Sequence, residues 1–471
     1  MGATRSARHI DAPLLALLLA ACSQASPAAS VKRDASTGRD AASSMDATAT
    51  GDSASKREAS VGRDAASLVE AAATGDSGAP SSDLPSVDPA ALGLSLPPLI
   101  AMTTWVLNNP DVRIFSLLLS RHGELAYELY TPGIVRDEAE FMMSTSKSFT
   151  SAIVGAALDR GILSSTDASV SGLLPAWLFG DAGNEARFGG VTLKDVMGMQ
   201  ALDALEPPHD YSDASVARGA AFWVAPNRVE FALTQALLPA PGTSYQYNDI
   251  TPMLAGGAVQ YATGKRLFDF GVEVLLGPMG FKNAEWVGED PTGIDLAAYG
   301  LRIRPIDMQK FGILFLNHGL WGSKQILSQS WVDTSWTAYV NTGAGVTPGY
   351  QNYGWFWWHR SDWGTEVHWT DGWRGQFIVV MPEYDAVFSM TADIETNDEV
   401  TDLGNFMTQF VVPALTQGTA ATPALESELA TELTAVNQGQ SRVNLSGDPR
   451  MIPSIAPQAT PIPFNPSATA P

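Results

Sequence analysis

The sequence predicts an α+β fold, because β-rich segments occur at both ends of its patterned region and helical segments lie between them. Residues 114–130, "IFSLLLSRHGELAYELY", are typical of two strands joined by a turn at residues 122–123. Residues 375–392, "GQFIVVMPEYDAVFSMTA", contain two further strands joined at residues 382–385. We therefore expect the first and last strands to share one sheet, rather than to belong to a doubly wound arrangement.

Composition and charge restrict the class of protein. The chain has 471 residues, and its apolar fraction of 45% is enough for a sizeable core. A formal net charge of -22 disfavours binding to nucleic acid or electrostatic docking on anionic lipid. We interpret the acidity as a solubility feature, with steering of cationic substrates as the alternative. A single cysteine, Cys22, excludes an internal disulfide and a cysteine zinc cluster.

The N-terminal residues have the pattern of an export signal. Arg5 and Arg8 precede a short apolar run at residues 12–21, which suits a signal peptide better than a membrane-spanning helix. The run ends in Leu-Ala-Ala-Cys22, which resembles the bacterial lipobox, whose cysteine is acylated and becomes the mature N-terminus. We therefore expect a lipoprotein signal peptide at residues 1–21 and an exported protein, lipid-anchored to the bacterial cell envelope. Since Ser23 is not an aspartate retention signal, the outer membrane is expected where one exists. The alternative is an ordinary signal peptide with an incidental Cys22.

Three further regions follow along the chain. Residues 22–91 are rich in Ala, Ser and Asp, and "GRDAAS" occurs at both Gly38 and Gly62, which indicates a duplicated, disordered tether. Residues 92–415 carry dense hydrophobic patterning and form the predicted hydrolase domain. Residues 416–471 form a Pro/Ala/Thr-rich tail, mostly disordered, in which "ALESELATELTAV" could form one helix.

The first chemistry-bearing motif is Ser144-Thr-Ser-Lys147, at the start of an apolar helical stripe. Positions i and i+3 share a helix face, so Lys147 can reach the Ser144 hydroxyl. The free N–H groups of a helix N-terminus would also stabilise an oxyanion. An N-cap serine is the alternative, because the same Ser-x-x-Lys spacing occurs at Ser53 to Lys56 in the tether.

Two longer segments resemble the serine β-lactamase and penicillin-binding-protein superfamily, nearest its class C and esterase branch, which includes aminohexanoate-dimer hydrolases. "FMMSTSKSFTSAIVGAALDRGIL" resembles the family's nucleophile segment. "PAPGTSYQYNDITPML" resembles its P-G-x-x-[FY]-x-Y-x-N segment, which makes Tyr247 the base; Tyr339 and Tyr350 lack that context. A tyrosine with pKa ~10 needs help worth about 4 kcal/mol to act near neutrality, and Lys147 is the natural source. The alternative is that Tyr247 only packs.

The third motif of this family falls on "HWTDGWRGQ", residues 368–376. Gly372 would let the backbone approach the substrate, and the resemblance implies that the Trp373 N–H joins that of Ser144 in holding the oxyanion. Thr370 replaces the family's cation and Asp371 adds a negative charge, so a substrate carboxylate is repelled unless Arg374 or His368 compensates.

The second motif also departs from the family, since Asp249 stands where an amide is usual. An ionised Asp249 only accepts hydrogen bonds, so a substrate amide side chain loses a donor. Both departures favour esters or unusual amides over β-lactams.

Matches in order from about residue 115 to 392 imply a β-lactamase/transpeptidase-like fold, with an antiparallel sheet flanked by helices and an all-helical lobe. The resemblance implies an acyl-enzyme formed on Ser144 and no cofactor. The histidines lack metal-binding spacing, so no metal site is predicted. We expect a serine hydrolase of small ester or amide substrates. The alternatives are a β-lactamase or D,D-peptidase acting on peptide-like, cell-wall-like substrates, and a non-catalytic ligand-binding surface protein.

Overall fold

The structure is a computed structural model of the chain. It describes residues 83–204, 221–337, 340–342, 352–394, 399–438 and 464–466. The contacts divide the chain into two units, Met1–Gly75 and Asp76–Pro471, and all described residues belong to the second. Cys22, the signal segment, most of the predicted tether, Tyr339 and Tyr350 lie outside the described residues.

An eight-stranded antiparallel sheet is the centre of the described structure. Its strands are β1 (Ile114–Arg121), β2 (Glu124–Tyr130), β10 (Val340–Asn341), β11 (Asn352–Gly354), β12 (Trp357–Arg360), β13 (Val367–Gly372), β14 (Gln376–Met381) and β15 (Ala386–Ala392). Their order across the sheet is β10-β11-β12-β13-β14-β15-β1-β2. Both predicted hairpins are present, and β1 pairs with β15. The α+β prediction, with the first and last strands in one sheet, is therefore confirmed.

Short strands form three smaller sheets. They are β3 (Glu140–Phe141), β4 (Leu202–Asp203), β5 (Ala236–Leu237), β6 (Glu285–Trp286), β7 (Leu301–Ile303), β8 (Leu320–Trp321) and β9 (Lys324–Gln325). The order β3-β7-β6 brings the segment before the nucleophile motif beside β7.

Helices flank the main sheet and form the second lobe. They are α1 (Leu96–Asn108), α2 (Ser146–Asp159), α3 (Val170–Leu173), α4 (Ala182–Arg187), α5 (Leu193–Met197), α6 (Arg228–Thr234), α7 (Pro252–Thr263), α8 (Leu267–Gly271), α9 (Pro305–Leu316), α10 (Gln329–Thr337), α11 (Glu399–Phe406), α12 (Val412–Thr416) and α13 (Pro423–Gln438). The helix expected within the C-terminal tail is present as α13. Among the described helices, none combines the length and apolarity needed to cross a membrane.

Close packing fixes α9 and α2 against their neighbours. A Cβ added at Gly312 of α9 would lie 2.4 Å from the Val387 side chain of β15. A Cβ at Gly155 of α2 would lie 2.4 Å from the ring of Trp331 in α10. Interiors packed this tightly resist displacement, so the sheet and α2 form a rigid base for the residues between them.

A buried ion network fixes the first described residues to α9. The Arg304 side chain is fully buried and donates to Asp83, Asp137 and Asp307 at 2.8–3.0 Å. Lys310 joins through Asp307, at 2.8 Å. Burial acts to raise the pKa of Asp83, but its hydrogen bonds to Lys282 and Arg304 and the charge of Lys310 lower that pKa to about 2. Each of these charges contacts an opposite charge, so removing one partner would leave an uncompensated buried charge.

Candidate active site

Ser144 lies at a sharp turn between β3 and α2. It belongs to a short 3-10 helix, Met143–Thr145, that leads directly into α2. Met143 has a φ of 47°, a conformation that is strained for a non-glycine residue. Within residues 140–157, Ser144 is the one residue that is not buried. The turn therefore presents the Ser144 side chain alone from an otherwise buried segment.

Lys147 makes the contact that its spacing from Ser144 predicts. Its Nζ donates to Ser144 Oγ at 2.8 Å and to Asp249 Oδ1 at 2.5 Å. The side chains of Lys147 and Asp249 are 1% and 0% exposed. Asp249, predicted to contact the substrate, therefore uses one carboxylate oxygen to bind the lysine of the first motif.

Tyr247 lies against the same ammonium group. Lys147 Nζ is 4.7 Å from the centroid of the Tyr247 ring, a cation–π distance. The ring is also 5.8 Å from Tyr353 and 5.7 Å from Trp358, measured between centroids. Asn248 fixes the turn that follows, because its Oδ1 accepts the N–H groups of residues 250 and 251. The structure thus brings Ser144, Lys147, Tyr247 and Asp249 together.

Tyr353 was not identified from the sequence. Burial raises its pKa well above the ordinary value, with smaller contributions from Tyr247, Tyr245, Asp249 and Asp371. Its side chain therefore remains a neutral phenol beside Tyr247 at neutral pH. The feature of the sequence that could have identified Tyr353 is its position in "YGWFWWHR", a segment that resembles the family but contains none of the three motifs.

The third motif reaches the nucleophile turn through β13. Thr370 is fully buried, and its Oγ1 lies 3.0 Å from Thr145 Oγ1 and accepts the N–H of Ile378 at 3.1 Å. A Cβ at Gly372 would lie only 2.4 Å from the carbonyl oxygen of Met142. Gly372 is thus needed for the close approach of β13 to the chain before Ser144, and Trp373 follows directly.

Arg374 and His368, the two residues named as possible sources of a compensating charge, differ in their surroundings. Arg374 Nε binds Asp393 Oδ1 at 2.7 Å, and Arg113 binds the other oxygen of the same carboxylate. Burial lowers the pKa of His368 to about 3, and its Nδ1 lies 2.8 Å from that of His359. His368 is consequently neutral at neutral pH, and Thr370, buried against Thr145, carries no charge. His368 therefore supplies no positive charge at neutral pH, whereas Arg374 shares the Asp393 carboxylate with Arg113.

The described residues contain no group of three or more His, Cys, Asp or Glu side chains arranged to hold a metal ion. The residues gathered around Ser144 offer a serine hydroxyl, an ammonium–carboxylate pair and phenols. These are the groups of nucleophilic acyl transfer.

Comparison with known structures supports the fold. A Bacillus anthracis protein that carries the name 6-aminohexanoate-dimer hydrolase superposes with a TM-score of 0.55 at 21% identity, over 65% of this chain and 80% of that one. A penicillin-binding protein homologue from Caulobacter crescentus superposes with a TM-score of 0.54 at 13% identity, over 68% and 97%. At these identities the similarity establishes the fold alone. A search of curated protein sequences found no significant match.

The sequence profile of the Beta-lactamase family matches residues 111–407, well over half of the chain. This span runs from the turn before β1 to the helices after β15, and it contains all three motifs. Together with the eight-stranded sheet and the Ser144–Lys147 contact, it shows that the chain belongs to the beta-lactamase family, whose members are generally serine hydrolases.

Proposed function

We propose that the protein is a serine hydrolase that cleaves small ester or amide substrates through an acyl-enzyme on Ser144. The observation that carries this proposal is the 2.8 Å hydrogen bond from buried Lys147 to the partly exposed Ser144 hydroxyl. A serine held at a helix start by an adjacent lysine is an activated nucleophile with oxyanion donors nearby. A structural serine would not need a buried cation at its Oγ.

The reaction proceeds in two steps. Ser144 Oγ bonds to the substrate carbonyl carbon while its proton passes to Tyr247, and that proton then goes to the leaving group. The N–H groups of Ser144 and Trp373 stabilise the oxyanion. Water then attacks the acyl-enzyme while Tyr247 accepts one of its protons, and Tyr247 passes that proton to Ser144 Oγ as the bond between Oγ and the acyl carbon breaks.

Neutral esters fit this site better than carboxylate-bearing β-lactams. The position that would supply a cation holds a buried threonine, and Arg374 is held by Asp393, a carboxylate that it shares with Arg113. The Beta-lactamase profile match keeps a β-lactamase or D,D-peptidase activity as the second candidate.

Covalent labelling tests the nucleophile directly. A fluorophosphonate probe should add one label to the protein, mapped to Ser144 by mass spectrometry, and Ser144→Ala should remove it. Ser53→Ala is the matched control, because Ser53 has the same Ser-x-x-Lys spacing within the predicted tether. Labelling that persists in Ser144→Ala, or a wild type that neither labels nor hydrolyses p-nitrophenyl butyrate, would refute the proposal.

We also propose that the chain is exported and lipid-anchored through Cys22. The support is the Leu-Ala-Ala-Cys22 sequence after a short apolar run, in residues outside the described structure. Cys22→Ala should leave the protein unprocessed or release it from the membrane fraction. Wild-type protein recovered only from the soluble periplasmic or culture fraction would contradict the anchor.

A further inference from the structure

The hairpin formed by β11 and β12 ends in a two-residue turn of unusual backbone conformation. Gly354 and Trp357 are paired in the sheet, and between them Trp355 and Phe356 have φ angles of 50° and 67°. Turns with positive φ at both central positions favour asparagine and glycine, because this conformation is strained for a large side chain. Contacts from outside the hairpin must therefore hold the turn in place.

Those contacts join the turn to the helix that carries the lysine of the first motif. Ser148 of α2 donates its buried hydroxyl to the Phe356 carbonyl oxygen at 2.6 Å. The N–H of Phe356 donates to the carbonyl oxygen of Met197, at the end of α5, at 3.2 Å. The ring centroid of Trp355 is 4.5 Å from that of Trp331 in α10. The turn is thus bonded to α2 one residue beyond the lysine.

The strands of the same hairpin bring two buried rings to Tyr247. Tyr353 of β11 and Trp358 of β12 are cross-strand partners, 1% and 5% exposed, with ring centroids 4.6 Å apart. The Tyr247 ring lies 5.8 Å from Tyr353 at an interplanar angle of 86°, and 5.7 Å from Trp358 at 30°. Such edge-to-face and offset contacts are the favourable geometries of aromatic pairs. The Tyr247 ring therefore packs against the main sheet through this hairpin.

We propose that the β11–β12 hairpin sets the position of Tyr247 relative to Ser144, with Tyr353 as the positioning residue that contacts the Tyr247 ring. The inference rests on the proposed acyl-enzyme function and adds to it the element that places the base. The turn of the hairpin is bonded to α2 and its strands contact Tyr247, so the hairpin fixes the separation of two segments that lie far apart in the chain. Tyr353 acts only through Tyr247 in this scheme.

The ring of Tyr353, rather than its hydroxyl group, carries this role. Its contact with Tyr247 is edge-to-face. Burial raises the pKa of Tyr353 well above the ordinary value, so its proton stays in place and it does not serve as a second base. Lys147 Nζ lies 4.7 Å from the centroid of the Tyr247 ring. A shift of that ring therefore alters its separation from Lys147 and from Ser144 together.

Tyr353→Leu tests the inference, because it removes the ring and keeps an apolar side chain. We expect kcat for p-nitrophenyl butyrate to fall at least about tenfold with KM within about threefold of wild type, since a misplacement of about 1 Å costs about 10²-fold in rate. Tyr353→Phe keeps the ring, so its kcat should stay within about threefold of wild type. Tyr127→Leu is the matched control: Tyr127 is 3% exposed and lies on β2, at the far edge of the sheet from β11.

Ser148→Ala disturbs the packing less and decides the question where Tyr353→Leu does not fold. Loss of the bond to Phe356 frees the turn, and we expect kcat to fall at least about threefold with KM unchanged. Ser151→Ala is its matched control, because Ser151 is also buried in α2 but its hydroxyl has no hydrogen-bond partner among the described residues. A readout independent of turnover is the ring ¹H–¹³C signal of Tyr247, assigned with Tyr247→Phe. It should shift in Ser148→Ala and stay in place in Ser151→Ala.

Smaller losses of kcat than these in Tyr353→Leu or Ser148→Ala overturn the inference, as does a Tyr353→Phe enzyme that loses as much as Tyr353→Leu. Equal losses in the two control variants would show a general effect of altered packing, and that result also overturns it. A wild type that neither labels with the fluorophosphonate nor hydrolyses the ester refutes the proposed function instead. In that case the Tyr247 ring signal still tests the hairpin, and a signal unchanged in Ser148→Ala overturns its positioning role.

Discussion

Gly372→Ala places a methyl group in the contact between the third motif and the nucleophile turn. The added Cβ would lie 2.4 Å from the Met142 carbonyl oxygen, 2.6 Å from Gln376 Cβ and 3.0 Å from the Gln376 carbonyl oxygen. Favourable carbon contacts begin near about 3.5 Å, so the two segments must separate by roughly 1 Å. Gln376 is paired with Gly372 in the sheet, and this pairing holds the two strands together. The chain at Met142 is therefore the segment that we expect to move.

The cost of that movement should appear mainly in catalysis. Met142 lies two residues before Ser144, and a misplacement of about 1 Å in a catalytic group costs about 10²-fold in rate. Overpacking of a tight interior adds about 1–3 kcal/mol of destabilisation. We therefore expect kcat/KM for p-nitrophenyl butyrate to fall about 100-fold while the protein stays folded.

Steady-state kinetics and thermal unfolding of the same preparation separate the two effects. Gly190→Ala is the matched control, because a Cβ there meets no atom within 4 Å. A Gly372→Ala enzyme with kcat/KM within threefold of wild type would refute the argument that this close approach sets the position of Ser144.

Two further predictions concern charge. Asp371→Asn should raise kcat/KM for nitrocefin relative to p-nitrophenyl butyrate by about one to three decades. The reason is that the Asp371 carboxylate and the substrate carboxylate, if about 4 Å apart at a dielectric near 20, repel by ~4 kcal/mol. An unchanged ratio of the two kcat/KM values, or a wild type that already prefers nitrocefin, contradicts this prediction. His368, whose burial lowers its pKa from 6.5 to about 3, should make unfolding easier in acid. Between those values the unfolded chain binds a proton that the native chain does not, so the free energy of unfolding falls as pH decreases, by about 2–3 kcal/mol between pH 6.5 and 4.5. Urea unfolding should show a flatter pH dependence for His368→Gln, and identical slopes for the two proteins would disprove this origin.

Features with a local signal could be predicted from the sequence. The β1–β2 and β14–β15 hairpins follow from alternating apolar residues around turn residues, and the Ser144–Lys147 contact follows from helical spacing. These patterns reflect the geometry of neighbouring residues, so they need no knowledge of the tertiary structure.

Features that depend on distant residues could not be predicted in the same way. Asp249 was recognised as unusual, but its pairing with Lys147 joins positions 102 residues apart. Arg374 was placed beside the site by its position in the third motif, yet its partner, Asp393, lies beyond the end of the next hairpin. No sequence rule says which of several oppositely charged residues such a side chain will bind.

The pairing of β1 with β15 constrains the order in which the protein can be assembled during synthesis. Ser116 Oγ and Thr391 Oγ1 are 2.7 Å apart across these strands, although 275 residues separate them in the chain. Such long-range pairing folds slowly, because a large loop must close before the contact forms. Until β15 has left the ribosome, β1 has no strand to pair with on the side opposite β2. The strand β13, which carries the third motif, is also synthesised late. The nascent chain therefore has no complete active site until β13, β14 and β15 have been synthesised.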